Sequence, residues 1–60
     1  MDGKMTRDEA LRINEMYQWY DEEARAAKKR GDHNRAAEYR HKRDALHADL
    51  VKAIEVLRAL

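Results

Sequence analysis

The chain has 60 residues with no cysteine and no proline, and 42% of its residues are charged, for a formal net charge of +1. A chain this short forms one domain that buries little surface, and without cysteine it has neither disulfides nor thiolate metal ligands to stabilise it. No segment approaches the roughly 18 apolar residues of a membrane span. These limits exclude a membrane protein and make association with another chain the expected source of stability.

The N-terminal segment, residues 1–5, lacks the apolar run of a secretory signal, so we expect a flexible start and a cytoplasmic protein. The next residues fit a capping box, in which Thr6 and Glu9 each satisfy a free backbone amide of the other. A first helix is therefore predicted over about residues 6–30. Its apolar residues recur at alternating steps of three and four, the spacing of one buried helix face. They are Ala10, Ile13, Tyr17, Tyr20, Ala24 and Ala27.

The strongest break in the pattern is Gly31-Asp32, because glycine closes a helix in the left-handed conformation and aspartate caps the next helix. A turn at 31–32 and a second helix over about 33–59 follow, which together predict an all-α, two-helix antiparallel hairpin in a single domain, 1–60. The alternative is one continuous helix of about 54 residues in a long coiled coil, with Gly31 tolerated at a cost near 1 kcal/mol.

The second helix repeats the apolar spacing, with Arg43 as the one charged residue in the buried stripe. A chain reversal at the turn brings Arg43 level with Tyr20. The guanidinium then stacks on the ring and extends to solvent, to Asp21 or to Glu22, or else it lies in a contact between chains. The stripe consists of Ala36, Tyr39, Arg43, Leu46, Leu50, Ala53, Leu57 and Leu60.

Apolar residues beyond these two stripes have nothing to cover them in a two-helix hairpin, and such surface usually marks a binding site for a partner. The expected partner is a second copy, which gives a homodimeric four-helix bundle, or else a larger protein. Trp19 is either core or an interface anchor, since Trp is enriched among residues that dominate binding energy. The predicted partner interface comprises Leu11, Met16, Trp19, Arg43, His47, Val51 and Ile54.

Charge is distributed unevenly along the chain. Residues 1–24 carry three basic and seven acidic groups, residues 25–43 carry eight and two, and residues 44–60 carry two and three. In a hairpin the middle block becomes a basic tip, which is either an ordinary solvated surface or a site for the phosphates of a nucleic acid. The residues assigned to the basic tip are Arg25, Lys28, Lys29, Arg30, Arg35, Arg40 and Lys42.

No motif for catalysis or phosphate binding occurs in the chain. His41, Asp44 and His47 are the best metal-ligand spacing, but on a straight helix they spread over about 120°, too wide for one ion. We therefore predict no enzyme, cofactor, metal or small-molecule substrate. The predicted function is a non-catalytic protein–protein interaction module, acting as an accessory or regulatory factor; a nucleic-acid-binding protein is the alternative.

The residues around the turn resemble the centre of a tetratricopeptide-repeat hairpin. Gly31-Asp32 is followed by Ala36 and Tyr39, and the first-helix packing positions of the repeat fall on Tyr20, Ala24 and Ala27. The likeness covers about 25 residues, fewer than one repeat. It departs at Arg43, where the repeat has a small residue, and in the greater length of both helices. The resemblance implies protein binding and carries over no site residues.

Overall fold

The computed structural model describes residues 4–59, and all regular structure in that range is helical. The helices are α1 (Arg7–Lys29), α2 (His33–Ala45) and α3 (His47–Arg58), and α1 packs against both of the others. The prediction of an all-α chain is confirmed. The principal extents are 44 × 19 × 13 Å, whereas one continuous helix of about 54 residues would be about 80 Å long. The alternative of a single long helix is therefore wrong.

The first helix begins at the predicted capping box. The Thr6 N–H donates to Glu9 Oε1 at 3.2 Å, and the Glu9 N–H donates to Thr6 Oγ1 at 3.1 Å. These two bonds satisfy amides that have no partner within the helix. The prediction of a capping box is confirmed. The predicted flexible segment 1–5 lies mostly outside the described residues.

The chain reverses at Gly31, whose φ of +81° is left-handed. The Asp32 N–H donates to the Ala27 carbonyl at 2.9 Å, and the Gly31 N–H donates to the Lys28 carbonyl at 3.0 Å. This pair of bonds is the Schellman arrangement that closes a helix at glycine. Asp32 then caps α2, since its Oδ1 accepts from the Arg35 N–H at 3.1 Å. Two residues thus end one helix and begin the next.

The predicted second helix is divided in two at Leu46, so the prediction of one unbroken helix to residue 59 is not confirmed. Leu46 has φ −84° and ψ −6°, and its N–H donates to the Arg43 carbonyl, three residues back, at 3.0 Å. This is the tighter 3₁₀ type of bond, which interrupts a regular α-helix. The Leu50 N–H donates to the Leu46 carbonyl at 2.8 Å, and α3 starts there. No glycine or proline marks the break.

The contact between α1 and the other helices is made of small residues. Among the described residues, the fully buried apolar side chains are all alanines, and no large side chain is fully buried. Alanine lets helix backbones approach closely but contributes little apolar area. The larger residues of both stripes remain partly exposed or exposed. The buried alanines are Ala10, Ala24, Ala27, Ala36 and Ala53.

Candidate interaction surface

Four large apolar side chains lie on the surface. Met16 and Trp19 on α1 are 40% and 50% exposed, and Val51 and Ile54 on α3 are 45% and 38% exposed. All four belong to the predicted partner interface. Trp19 is therefore half exposed within a single copy, and its role as an interface anchor stays a prediction.

Two of the four residues lie on α1 and two lie on α3. Asp49 of α3 and Glu9 of α1 line one cleft, and Glu9 is two helical turns from Met16, on the same side of α1. Around α3, at about 100° per residue, Val51 and Ile54 each lie at least about 140° from Asp49. We call the side with Met16 and Trp19 the aromatic face, and the side with Val51 and Ile54 the aliphatic face.

The aromatic face is built around three rings. The Trp19 ring centroid lies 5.4 Å from that of Tyr20 and 5.7 Å from that of Tyr39, both edge-on, and Tyr20 lies 6.3 Å from Tyr39. Edge-to-face pairs at these distances are favourable beyond the area they bury. Beside the rings is a groove of about 300 Å³ lined by Arg12, Glu15, Met16, Trp19 and Tyr20. Trp19 is thus held in place on one side and open to a partner on the other.

Arg43 joins α1 to α2. Its Nη1 donates to Asp21 Oδ1 at 2.7 Å, and its Nε and Nη2 donate to Asp44 Oδ1 at 3.1 and 3.0 Å. These bonds, first to Asp21 and then to Asp44, raise the pKa of Arg43. Of the three predicted positions of the guanidinium, in solvent, at Asp21 or at Glu22, the structure shows the one at Asp21. Asp21 is about 160° from Trp19 around α1, on the other side of the molecule.

Two other predicted interface residues lie apart from the aromatic face. Leu11 is partly exposed and lies about 140° around α1 from Ala24, on the side turned away from α2 and α3. His47 is exposed at the start of α3, one turn before Val51 on the aliphatic face. The structure therefore does not bring the predicted interface residues together into one patch.

The basic tip is partly neutralised by nearby carboxylates. Arg25 Nε lies 3.2 Å from Asp21 Oδ2, and Arg35 Nε lies 3.9 Å from Asp32 Oδ2. Within the described part of the chain, the other members of the basic tip form no ion pair. Between α1 and α2 is a pocket of about 170 Å³. Its charged lining residues are Asp21, Arg25, Lys28, Arg40 and Arg43.

Residues beyond the predicted set also belong to the aromatic face. Arg12 lines its groove, and Glu23, one turn after Trp19, is partly exposed on the same side. Neither side chain forms an ion pair within residues 4–59. The signal that could have found them is a second helical stripe, since Arg12, Met16, Trp19 and Glu23 are spaced by alternating steps of four and three.

Potential metal ligands are not brought together in the part of the chain that the structure describes. In residues 4–59 no group of three or more His, Cys, Asp or Glu side chains is placed to hold a metal ion. His41 and Asp44 lie on α2 and His47 lies on α3, on opposite sides of the break at Leu46. The cleft lined by Glu9 and Asp49 has a volume of about 630 Å³ and lies near Lys4 and Ala59, and its walls carry charges of both signs.

None of the described helices is both long enough and apolar enough to cross a membrane. Comparisons with protein-family models, with curated proteins and with solved structures found no match to this chain.

Proposed function

We propose that this chain is a small non-catalytic protein–protein interaction module that associates with a second copy of itself. In this proposal α2 and α3 together form the second arm of an antiparallel helical hairpin, and two hairpins make a homodimeric four-helix bundle. The dimer acts as an accessory or regulatory factor, and the sequence alone favours a cytoplasmic location.

The observation that supports the proposal is that small apolar residues are buried while large ones stay exposed. The described residues bury alanines, while Met16, Trp19, Val51 and Ile54 stay 38–50% exposed. Full burial of a large apolar side chain contributes about 1.5–3 kcal/mol, so covering the 38–50% of each side chain that is still exposed would contribute roughly 0.6–1.5 kcal/mol. A second layer of helices is the ordinary means of covering such a face.

Surface area supports the same proposal. The chain exposes 4906 Å², whereas a compact monomer of 7.1 kDa is expected to expose about 4,100 Å². One broad face of the molecule measures 44 × 19 Å, which matches the roughly 800 Å² that each partner contributes to a standard interface.

Sedimentation velocity across a wide concentration range tests the proposal. We expect a particle of twice the 7.1 kDa of one chain, which dissociates on dilution with loss of helix circular dichroism. A fully helical particle with the mass of one chain at every concentration would overturn self-association. That result would favour docking on a larger protein instead.

A second candidate function is nucleic-acid binding through the basic tip. The observation that favours it is the pocket between α1 and α2, where Lys28 and Arg40 form no ion pair within the described residues while Asp21 is already engaged by Arg25 and Arg43. Excess positive charge of this kind binds phosphates with strong salt dependence.

Fluorescence anisotropy with labelled single- and double-stranded nucleic acids at low salt tests this candidate. Binding should weaken steeply with salt and with Lys28, Lys29 and Arg30 changed together to Ala. A matched control changes Lys52 and Arg58 to Ala, because these cations lie on α3, away from the tip. Equal loss from both variants, or no binding at low salt, would rule the candidate out.

A further inference from the structure

We infer that the second copy packs on the aromatic face and runs in the opposite direction, so that α1 lies against the partner's α1. This inference deepens the proposed function and rests on it. It names the face, the direction and the residue pairs of the dimer. The aliphatic face then stays outside the dimer.

The distribution of charge along the chain favours two copies that run in opposite directions. The tip block, residues 25–43, has six more basic than acidic groups, while residues 1–24 have an excess of four acidic groups and residues 44–60 an excess of one. A two-fold axis along the molecule would bring two basic tips side by side. A two-fold axis across the molecule puts each tip beside the acidic end of the partner, which is the complementary arrangement.

Symmetry then selects the pairing of helices. When two copies stack face to face about an axis across the molecule, each helix lies over the same helix of its partner, running the other way. Residues at equal distances on either side of the midpoint are brought together. A face suits this arrangement if its apolar residues lie at the centre and oppositely charged residues lie at equal distances on either side of the centre.

On α1 the aromatic face meets both conditions. Met16 and Trp19 are equidistant from the point between Tyr17 and Gln18, so Met16 meets the partner's Trp19, and Trp19 the partner's Met16. A thioether beside an aromatic ring is a favourable contact. Further out, Arg12 and Glu23 are also equidistant from that point, so each Arg12 meets the partner's Glu23.

The second arm of the hairpin, α2 with α3, independently gives a position for the same two-fold axis. Lys42 follows Tyr39 by one turn on the aromatic face, and Asp49 lines the cleft on that face. These two residues are equidistant from the point between Ala45 and Leu46, so Lys42 meets the partner's Asp49. Neither side chain forms an ion pair within residues 4–59.

The two centres lie at one level of the molecule. The point between Tyr17 and Gln18 and the point between Ala45 and Leu46 are each about 14 residues from the middle of the turn, or about 21 Å along a helix. Half of the 44 Å length is close to this distance. One two-fold axis therefore satisfies both arms.

The aliphatic face does not suit the same symmetry. Val51 and Ile54 lie about 20 or more residues from the middle of the turn, which is about 30 Å along the helix and well off centre. A second copy stacked there in full overlap would place them opposite the level of Arg25 and Arg40, which line the basic pocket. Apolar side chains would then cover charged ones.

Charge reversal tests the pairing. Arg12→Glu and Glu23→Arg should each raise the dimer Kd about tenfold, because the symmetry replaces two attractive pairs by two repulsive pairs. The double variant Arg12→Glu/Glu23→Arg restores both pairs and should recover the original Kd, which a folding defect would not do. Additive losses in the double variant would overturn the inference.

Cross-linking tests the direction, since the chain has no cysteine of its own. An Ala45→Cys variant places the two thiols beside the inferred axis and should form a disulfide-linked dimer on oxidation. In Asn34→Cys the thiols lie at the two tips, at opposite ends of the dimer, and should not cross-link. Cross-linking of Asn34→Cys but not Ala45→Cys would overturn the inferred direction.

A pair of matched surface variants separates this inference from the proposed function. Trp19→Lys should abolish the dimer, while Val51→Lys, at a position with similar exposure, should leave the Kd unchanged. If Val51→Lys alone dissociates the dimer, self-association stands and the inferred face is wrong. If the unmodified chain never dimerises, both proposals fail.

Discussion

Between its helices the chain buries alanines, and on its outer faces it exposes Trp19, Met16, Val51 and Ile54. Most small domains do the reverse, because the large side chains supply most of the free energy of burial. The alanine contact fixes how closely the helices approach and therefore determines the shape. The outer faces hold the apolar area that a partner can cover. Shape and stability thus depend on different residues.

The most direct test of the contrast between buried alanines and exposed large residues is to put a large side chain into the alanine contact. Ala27 is fully buried beside the turn, so Ala27→Leu should force α1 and α2 apart and lower the free energy of unfolding by about 1–3 kcal/mol. Urea unfolding at fixed protein concentration measures the loss. Ala37→Leu, on an exposed surface of α2, is the control, with an expected change within about 0.5 kcal/mol. Equal effects would mean that the alanine contact is not close-packed.

A smaller loss of stability is expected from substitutions at Gly31, in the turn that joins α1 to α2. At Gly31 an added Cβ would meet nothing within 4 Å, so the left-handed φ is the remaining cost. Gly31→Ala should lower the free energy of unfolding by about 1–2 kcal/mol, and Gly31→Asn by less, because asparagine tolerates this conformation. Thermal and urea unfolding of both variants measure the difference. If Gly31→Asn lowers the stability as much as Gly31→Ala, the loss does not come from the left-handed backbone conformation.

The ion pairs of Asp21 with Arg25 and Arg43 should contribute less to stability than the alanine contact. Asp21→Asn weakens the bonds to Arg43 and Arg25, and since these groups are partly exposed we expect a small, salt-sensitive loss of stability. The pKa of Arg43 is raised, so its contribution is present below its ordinary pKa and is lost only as pH rises through the raised value. Changes of pH near neutrality should leave it unaltered. Urea unfolding of both proteins at low and high salt measures the effect; a loss independent of salt would contradict it.

The smallest effect is expected on the exposed aliphatic face. At a fixed protein concentration, Val51→Lys should change the free energy of unfolding by no more than about 0.5 kcal/mol, because the side chain is already in water and lies outside the inferred dimer contact. Urea unfolding of both proteins at that concentration checks this expectation. A large loss would show that Val51 contributes to the stability of the single copy, and the contrast between buried alanines and exposed large residues would then fail.

Much of the local structure follows from short patterns in the sequence. The capping box at Thr6 and Glu9 and the turn at Gly31-Asp32 each depend on residues whose chemistry allows few alternatives. The break at Leu46 does not. It involves no residue with a special backbone preference, so periodicity alone predicts a continuous helix.

The candidate surface was only partly predictable. Exposure of Met16, Trp19, Val51 and Ile54 follows from counting apolar residues beyond the two buried stripes. Their division between two faces depends on how α1 rotates against α2 and α3, and two overlapping apolar stripes leave that rotation undetermined. The partners of Trp19, which are Tyr20 and Tyr39, depend on the same rotation.

The position of the turn also determines how the molecule folds. Ala27 and Ala36 are separated by the shortest loop of any buried pair across the turn, and Ala10 and Ala53 by the longest, so closing the first contact costs the least chain entropy. We therefore expect folding to start beside Gly31 and to proceed toward the chain ends. Amide hydrogens near Ala10 and Ala53 should exchange with solvent first, and those beside the turn last.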